Sequence, residues 1–126
     1  MQALVSVVDD DDSVREALES LIRSAGLLVQ VFASAEQFLE SRVVSKTTCL
    51  VLDVRMPGMS GIELLSGLLS KGYQVPVIFM TAHATDEECR AEALSLGAVA
   101  YLIKPFHKNE LLDAIFKAIE ANENQG

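Results

Sequence analysis

The stretch TCLVLDVRMPGMSG, residues 48–61, decides the fold class of this 126-residue chain. Its first six residues are largely apolar on both sides of the chain, and the sixth is Asp53. An apolar run without a polar face is typical of a central strand in a parallel sheet, because helices cover both faces of such a sheet. Residues 48–53 therefore predict a buried parallel strand with a carboxylate at its end.

Similar short apolar runs alternate with helix-like segments along the rest of the chain. The five runs are Ala3–Val8, Leu28–Phe32, Thr48–Asp53, Pro76–Met80 and Val99–Ile103. Regular alternation of strands and helices predicts an α/β fold, a doubly wound five-stranded parallel sheet with five helices on its two faces. Leu28–Phe32 alternates more than the other runs, because Gln30 interrupts its apolar residues, and this favours an edge strand.

The helical segments have recognisable ends and apolar faces. Ser34 with Gln37, and Thr85 with Glu88, match the reciprocal capping box, in which two side chains satisfy free backbone N–H groups. Glycines that end helices are expected at Gly26, Gly72 and Gly97. Apolar stripes at helical spacing are formed by Val14, Ala17, Leu18, Leu21, Ile22 and Ala25, and by Leu111, Leu112, Ile115, Phe116 and Ile119. Each stripe can cover one face of the sheet.

Composition narrows the class of protein. Ten basic and eighteen acidic residues give a net charge of -8 without a basic cluster, so this segment is not expected to bind nucleic acid. No run approaches the roughly 18 apolar residues that span a bilayer, so we predict a cytoplasmic domain without a membrane partner.

We expect Cys49 and Cys89 to be free, buried thiols. Residues 1–121 are interpreted as one domain, and residues 122–126 as a polar tail or truncated linker.

Charged and hydroxyl side chains stand at the ends of four predicted strands. Asp9 and Asp10 end the first, Asp53 the third and Thr81 the fourth, and Lys104 follows the fifth. Ligands of open parallel sheets bind at this edge, where the carboxylates would repel one another unless a hard divalent cation neutralised them. The pattern predicts a Mg²⁺ (or Mn²⁺) site, with an acylphosphate on Asp53 and Lys104 holding a phosphoryl oxygen.

Several motifs, in order and at their spacing, resemble the response-regulator receiver family over essentially the whole chain. They are Val8-Asp9-Asp10, Asp53-x-x-Met56-Pro57-x-x-x-Gly61, Thr81-Ala82 and Tyr101-x-x-Lys104-Pro105. The resemblance implies the flavodoxin-like strand order 2-1-3-4-5 and commonly a cis Lys104-Pro105 bond.

The same resemblance implies roles for the site residues. Asp10, Asp53 and the backbone carbonyl of Arg55 would ligate Mg²⁺ directly, whereas Asp9 would act mainly through water. Asp53 would accept the phosphoryl group from a sensor histidine kinase. Such a domain is not an enzyme in the usual sense, because it catalyses only its own phosphorylation and dephosphorylation.

Two further pairs of positions are implied by the family pattern. Thr81 and Tyr101 match the switch pair, in which a hydroxyl moves to bond the phosphate and an aromatic ring turns inward. Arg55 and His83 occupy the positions that border the approach of water to the phosphate, and would modulate its lifetime. Alternatives remain for single residues: Thr81 can be a plain strand-end hydroxyl, Tyr101 an edge aromatic and His83 an uninvolved surface residue.

The sequence specifies the output of the domain, that is, its effect on other molecules, less closely than it specifies the phosphorylation site. The segments 31–39, 53–61 and 81–83 look most like regulators of the FixJ type, which usually carry a helix-turn-helix output domain. The resemblance implies control of transcription through a domain absent from these residues, with a phosphorylation-dependent homodimer as a partner state. Switching would reshape the face formed by the fourth helix, the fifth strand and the fifth helix. A stand-alone receiver that acts by protein–protein contact is the alternative.

Two other classes of protein fit the pattern less well. An aspartyl-nucleophile phosphatase needs a second acidic residue two positions after Asp53, where this chain has Arg55. A nucleotide- or flavin-binding module needs a phosphate loop after the first strand, where the acidic run 9–12 would repel phosphate. Asp11, Asp12 and Ser13 are better explained as residues that begin the first helix.

Overall fold

The computed structural model describes residues 3–82 and 87–124, and these form one five-stranded parallel sheet flanked by helices. The strands are β1 (Leu4–Val8), β2 (Leu28–Phe32), β3 (Cys49–Asp53), β4 (Val77–Thr81) and β5 (Ala100–Ile103). The helices are α1 (Asp12–Ser24), α2 (Ala35–Glu40), α3 (Gly61–Ser70), α4 (Glu87–Ser95) and α5 (Lys108–Asn124). The strand order is β2-β1-β3-β4-β5, which confirms the predicted fold class and places β2 at an edge.

The core consists of two apolar layers, one on each face of the sheet. One layer joins α2, α3 and α4 to alternate residues of the strands, with Phe38, Leu64 and Phe79 among its buried members. The other joins α1 and α5 to the opposite face, with Ile22 and Ile115 fully buried. Both faces of β3 and β4 are covered, as their apolar sequences require.

Four of the five predicted strands differ from the observed strands at an end. The structure starts β1, β3 and β5 one residue later than predicted, and it shifts β4 by one residue so that β4 includes Thr81. Strand ends depend on pairing with neighbours, which a single strand's sequence does not show. The shift of β4 follows from its pairing with β5, in which Thr81 lies opposite Ile103.

The predicted helix faces were wrong at two positions. Ala17 is exposed although Leu18 and Ile22 of the same stripe are buried. Phe116 has 46% of its surface exposed, and Ala118 is buried in its place. Ala17 and Phe116 each point about 100° away from a buried neighbour, Leu18 or Ile115, and so lie at the margin of the apolar face. Cys49 is buried as expected, but Cys89 is only half-buried, and neither cysteine forms a disulfide bond.

The helix ends largely match the sequence signals. Gly26, Gly72 and Gly97 have φ of +86°, +86° and +94°, the left-handed conformation expected where a helix ends. The Ser34 hydroxyl accepts the Gln37 N–H, but the Gln37 side chain accepts from Ala33, so only half of that capping box forms.

The other predicted capping box includes Thr85, which lies outside the described residues. A complete box that the sequence analysis missed joins Ser60 and Glu63 at the start of α3. Asp11 caps α1 by accepting the N–H groups of Ser13 and Val14.

At the carboxyl terminus α5 continues to Asn124, so the first three residues of the predicted tail are helical. None of the helices described is both long enough and apolar enough to cross a bilayer.

Candidate functional site

The predicted site residues meet at the carboxyl end of the sheet. Asp9 and Asp10 directly follow β1, Asp53 ends β3, Thr81 ends β4, and Lys104 directly follows β5. Since β1 and β3 are neighbours at the point where the strand order reverses, their terminal carboxylates are brought together. The arrangement agrees with the position expected for a ligand site in an open parallel sheet.

The three carboxylates of this acidic cluster are close together but differ in exposure. Asp9, Asp10 and Asp53 each place one carboxylate oxygen so that the three atoms lie within 4.8 Å of one another. Asp9 is fully buried, Asp53 is 8% exposed, and Asp10 is exposed. Oxygen ligands at this spacing fit a hard divalent cation such as Mg²⁺. Asp10 and Asp53 are the members of the cluster that an incoming ion can reach.

The buried Asp9 carboxylate is held at both oxygens. Its Oδ2 accepts a hydrogen bond from the Lys104 ammonium at 2.9 Å, and its Oδ1 accepts the Asp11 N–H at 2.9 Å. A carboxylate with both oxygens engaged is poorly placed to ligate an ion directly. The expected role of Asp9, to act on the metal mainly through water, stays a prediction.

Lys104 links three strand ends. Its ammonium lies 2.9 Å from Asp9 Oδ2 and 3.7 Å from Asp53 Oδ2, and its backbone N–H donates to the Thr81 carbonyl at 2.7 Å. Its peptide bond to Pro105 is cis, as the family resemblance implied. Burial by itself would lower the pKa of Lys104, but the bond to Asp9 and the charges of Asp53 and Asp9 outweigh it and raise the pKa. Lys104 is therefore charged at neutral pH.

Asp53 is strongly perturbed. Burial and the negative charge of Asp9 raise the pKa of the Asp53 carboxyl to about 6, against the opposing influence of Lys104 and of the Arg55 N–H. At neutral pH the ionised carboxylate is held in surroundings that disfavour its charge. A divalent cation, or a phosphoryl group with its counter-charges, would relieve that penalty.

The loop between β3 and α3 packs tightly against Asp53. The Arg55 N–H donates to Asp53 Oδ1 at 3.4 Å, while the Arg55 residue itself is exposed. The Gly61 N–H donates to the Val54 carbonyl at 2.9 Å, and a Cβ at Gly61 would lie 2.2 Å from the Asp53 carbonyl oxygen. The start of α3 therefore approaches the Asp53 backbone more closely than any side chain allows. The sequence motif includes Gly61, but only the structure shows this contact.

The predicted switch residues flank the site. Thr81 is 1% exposed at the end of β4, and Tyr101 is half-buried on β5. The Tyr101 ring centroid lies 6.3 Å from that of Phe79, with the rings tilted by 47°. His83, predicted to influence the phosphate lifetime, lies outside the described residues. The roles of Thr81, Tyr101 and His83 stay predictions.

Arg15 is a residue of this site that the sequence analysis missed. Its Nη1 donates to the backbone carbonyl of Asp9 at 2.7 Å, and its Nη2 forms an ion pair with Asp12 Oδ1. The side chain is only 16% exposed. The signal available in the sequence was the spacing of Asp12 and Arg15, which places an acid and a base on one face of a helix. The contact with Asp9 had no such signal.

Comparison with known proteins identifies a family for the chain. Residues 5–116 match the family model described as "Response regulator receiver domain". Nodulation protein W of Bradyrhizobium diazoefficiens is 44% identical over 124 residues, which cover 98% of this chain and 54% of that protein. Transcriptional regulatory protein FixJ of Azorhizobium caulinodans is 43% identical over 122 residues, which cover 97% of this chain and 57% of that protein. This chain thus spans about half the length of these relatives.

Solved structures show the same likeness. The response regulator StyR superposes with a TM-score of 0.91 at 46% identity, covering 99% of this chain and 63% of that one. FixJ-N superposes with a TM-score of 0.85 at 36% identity, covering 95% of each chain. The family match, the relatives and the fold agree, and the chain belongs to the response regulator receiver domain family.

Proposed function

We propose that Asp53 accepts a phosphoryl group from a sensor histidine kinase and that phosphorylation switches the surface formed by α4, β5 and α5. Receiver domains are phosphoacceptors of two-component systems that bind Mg²⁺ at an acidic pocket. The observation that carries the assignment of Asp53 is its position: a nearly buried carboxylate between the exposed Asp10 and the Lys104 ammonium, at the end of the central strand β3.

The proposed transfer requires few groups. An Asp53 carboxylate oxygen attacks the phosphorus, a P–O bond forms, and the P–N bond to the kinase histidine breaks, with the electron pair leaving on the imidazole. Asp10, Asp53 and the Arg55 carbonyl would hold Mg²⁺, which would neutralise charge at the phosphoryl oxygens when bound. Lys104 is close enough to exchange part of its contact with Asp9 for a phosphoryl oxygen. Thr81 supplies a hydroxyl donor from the neighbouring strand end.

The proposed output is control of transcription. FixJ of Azorhizobium caulinodans is named a transcriptional regulatory protein, and this chain covers 57% of its length. We propose that residues 1–121 act as the receiver and that residues 122–126 lead toward an output domain. A stand-alone receiver that acts by protein–protein contact is the second possibility, and the length of the native protein distinguishes the two.

The test is direct phosphorylation of the purified chain. After incubation with Mg²⁺ and acetyl phosphate, intact mass spectrometry should show the addition of one phosphoryl group, and EDTA should prevent it. Asp53→Asn should show no addition, whereas the exposed Asp113→Asn on α5 should behave like the wild type. Equal phosphorylation of Asp53→Asn and the wild type would overturn the assignment of the acceptor.

A further inference from the structure

We propose that Arg15 is a positioning residue that holds the segment Asp9–Asp12, here called the acidic loop, so that Asp10 faces the divalent cation. The inference rests on the proposed function, because it assigns Arg15 a part in the metal site of the receiver. Arg15 does not contact the acidic cluster as a ligand. It acts through the backbone of the loop that carries Asp9 and Asp10.

The Arg15 side chain connects the two ends of the acidic loop. From the first turn of α1 it reaches back six residues to donate to the Asp9 carbonyl at 2.7 Å. The other terminal nitrogen pairs with Asp12, whose side chain is 84% exposed. With 16% of its own side chain exposed, the guanidinium is largely packed against the protein. A planar guanidinium suits this task, because its fork of N–H donors can serve two acceptors at once.

These contacts fix the backbone on both sides of Asp10. The Asp9 carbonyl belongs to the peptide group that precedes Asp10, and it accepts from Arg15. The Asp11 N–H belongs to the peptide group that follows Asp10, and it donates to Asp9 Oδ1 at 2.9 Å. With both flanking peptide groups held, the Cα–Cβ direction of Asp10 is set even though its side chain is exposed. Loss of the Arg15 contact frees the peptide group that precedes Asp10.

The acidic loop needs such a restraint because of its charge. Residues 9–12 are four consecutive aspartates, and Asp53 lies across from them. Mutual repulsion favours conformations in which the exposed carboxylates move apart, away from a shared ion. Arg15 opposes that movement from the helix side, while Lys104 opposes it from β5.

The sign of the effect on metal affinity separates positioning from simple electrostatics. Removal of a nearby positive charge should by Coulomb's law tighten the binding of a cation. Loss of positioning should weaken cation binding instead, because part of the binding free energy is then used to order the acidic loop. The two explanations therefore predict opposite changes for Arg15→Met. Arg15→Lys keeps the charge but lacks the fork, so it tests geometry at constant charge.

The experiment is a Mn²⁺ titration of the full chain, in which electron paramagnetic resonance measures free Mn²⁺. We expect Arg15→Met to weaken Mn²⁺ binding by about tenfold, in the range seen when outer-shell partners of a metal site are removed. Arg15→Lys should also bind more weakly than the wild type. The matched control is Arg23→Met on the same helix, because Arg23 forms an exposed pair with Glu19 about 12 Å further along α1. Arg23→Met should bind Mn²⁺ like the wild type.

A second readout excludes a purely structural effect. The Mg²⁺ concentration that gives a half-maximal rate of phosphorylation by acetyl phosphate should rise in both Arg15 variants. A variant that was only less stable would lose amplitude without a shift in that concentration. Unchanged or tighter Mn²⁺ binding in both Arg15 variants would overturn the positioning role while leaving the metal site intact. Failure of the wild type to bind Mn²⁺ would instead overturn the metal site of the proposed function, and the role of Arg15 with it.

Discussion

Ionised Asp53 destabilises the folded chain when no cation is bound, because the carboxylate is buried beside Asp9. The pKa of Asp53 is about 6 in the folded chain and close to its ordinary value in the unfolded chain. The folded state therefore binds the proton more tightly. The stability that this tighter proton binding contributes is fully present below the pKa of Asp53 in the unfolded chain. It is lost as the pH rises through about 6.

Asp53→Asn should accordingly stabilise the metal-free protein at pH 7.5. We expect the free energy of unfolding to increase by about 1–2 kcal/mol, somewhat less than the raised pKa of Asp53 implies, because Lys104 loses a partner. The gain should shrink as the pH falls to about 4, where wild-type Asp53 is almost fully neutral in the folded state and about half ionised in the unfolded state. Urea unfolding in EDTA, followed by circular dichroism at both pH values, measures the difference. A variant less stable than the wild type at pH 7.5 would contradict the argument.

Arg55 is expected to lengthen the life of the phosphorylated state. Its exposed side chain follows Asp53 by two residues, in the loop whose backbone N–H contacts the Asp53 carboxylate. A guanidinium can pair with phosphoryl oxygens and cover the approach of water, whereas an amide can orient an attacking water. Arg55→Asn should shorten the lifetime several-fold, as measured by loss of label from ³²P-labelled protein. His83 should have a smaller effect that varies with pH near neutrality.

The control for that measurement is Arg42→Asn, which removes an exposed charge after α2 and should leave the lifetime unchanged. If Arg55→Asn decays at the wild-type rate or more slowly, the side chain does not cover the phosphate. Only the Arg55 carbonyl would then belong to the site.

Helix α3 offers a test of how closely an element must approach the acceptor. A Cβ at Gly61 would lie 2.2 Å from the Asp53 carbonyl oxygen, whereas a Cβ at Gly67 on the same helix meets nothing within 4 Å. Gly61→Ala should therefore push the start of α3 away and destabilise the chain by about 1–3 kcal/mol. Gly67→Ala should stabilise it by about 0.5–1 kcal/mol, because alanine favours the helix.

Thermal or urea unfolding of both alanine variants gives the comparison. The displaced α3 should also move the Arg55 loop, so we expect slower phosphorylation of Gly61→Ala and unchanged phosphorylation of Gly67→Ala. Equal stability of the two variants would show that α3 leaves room for a Cβ beside the Asp53 carbonyl.

For the whole chain, the face formed by α4, β5 and α5 is the expected site of self-association. Leu94, Val99 and Ile103 are exposed there by 46%, 50% and 36%. Phosphorylation should shift the equilibrium of Thr81 and Tyr101 and reshape this face, with Ala100, Lys104 and Phe106 nearby. Analytical ultracentrifugation with Mg²⁺ and beryllofluoride, a phosphate mimic, should show a shift from monomer toward dimer.

Val99→Glu should prevent that shift, because it places a charge within the apolar contact. The matched control is Leu28→Glu, since Leu28 is exposed by 49% on the opposite edge of the sheet. If beryllofluoride changes neither the mass nor the amide exchange of β5, phosphorylation does not act through this face.

The amino-acid sequence by itself determined the fold class, the edge position of β2, the left-handed glycines and the identity of the candidate acceptor. These features depend on patterns within one element, such as the apolar run before Asp53 or a glycine after a helical stripe. The capping box of Ser60 and Glu63 has the same local character, and its signal was present although it was missed.

Only the tertiary structure decided how the charged groups share the site. Lys104 and Asp9 are 95 residues apart, and their bond follows from the order and register of the four strands from β1 to β5 in the sheet. Asp9 is buried and Asp10 is exposed because of where the chain turns after β1. The hydrogen bond from Arg15 to the Asp9 carbonyl depends on how α1 packs against the sheet. Such contacts join separate elements, and their geometry is determined by packing rather than by any local pattern.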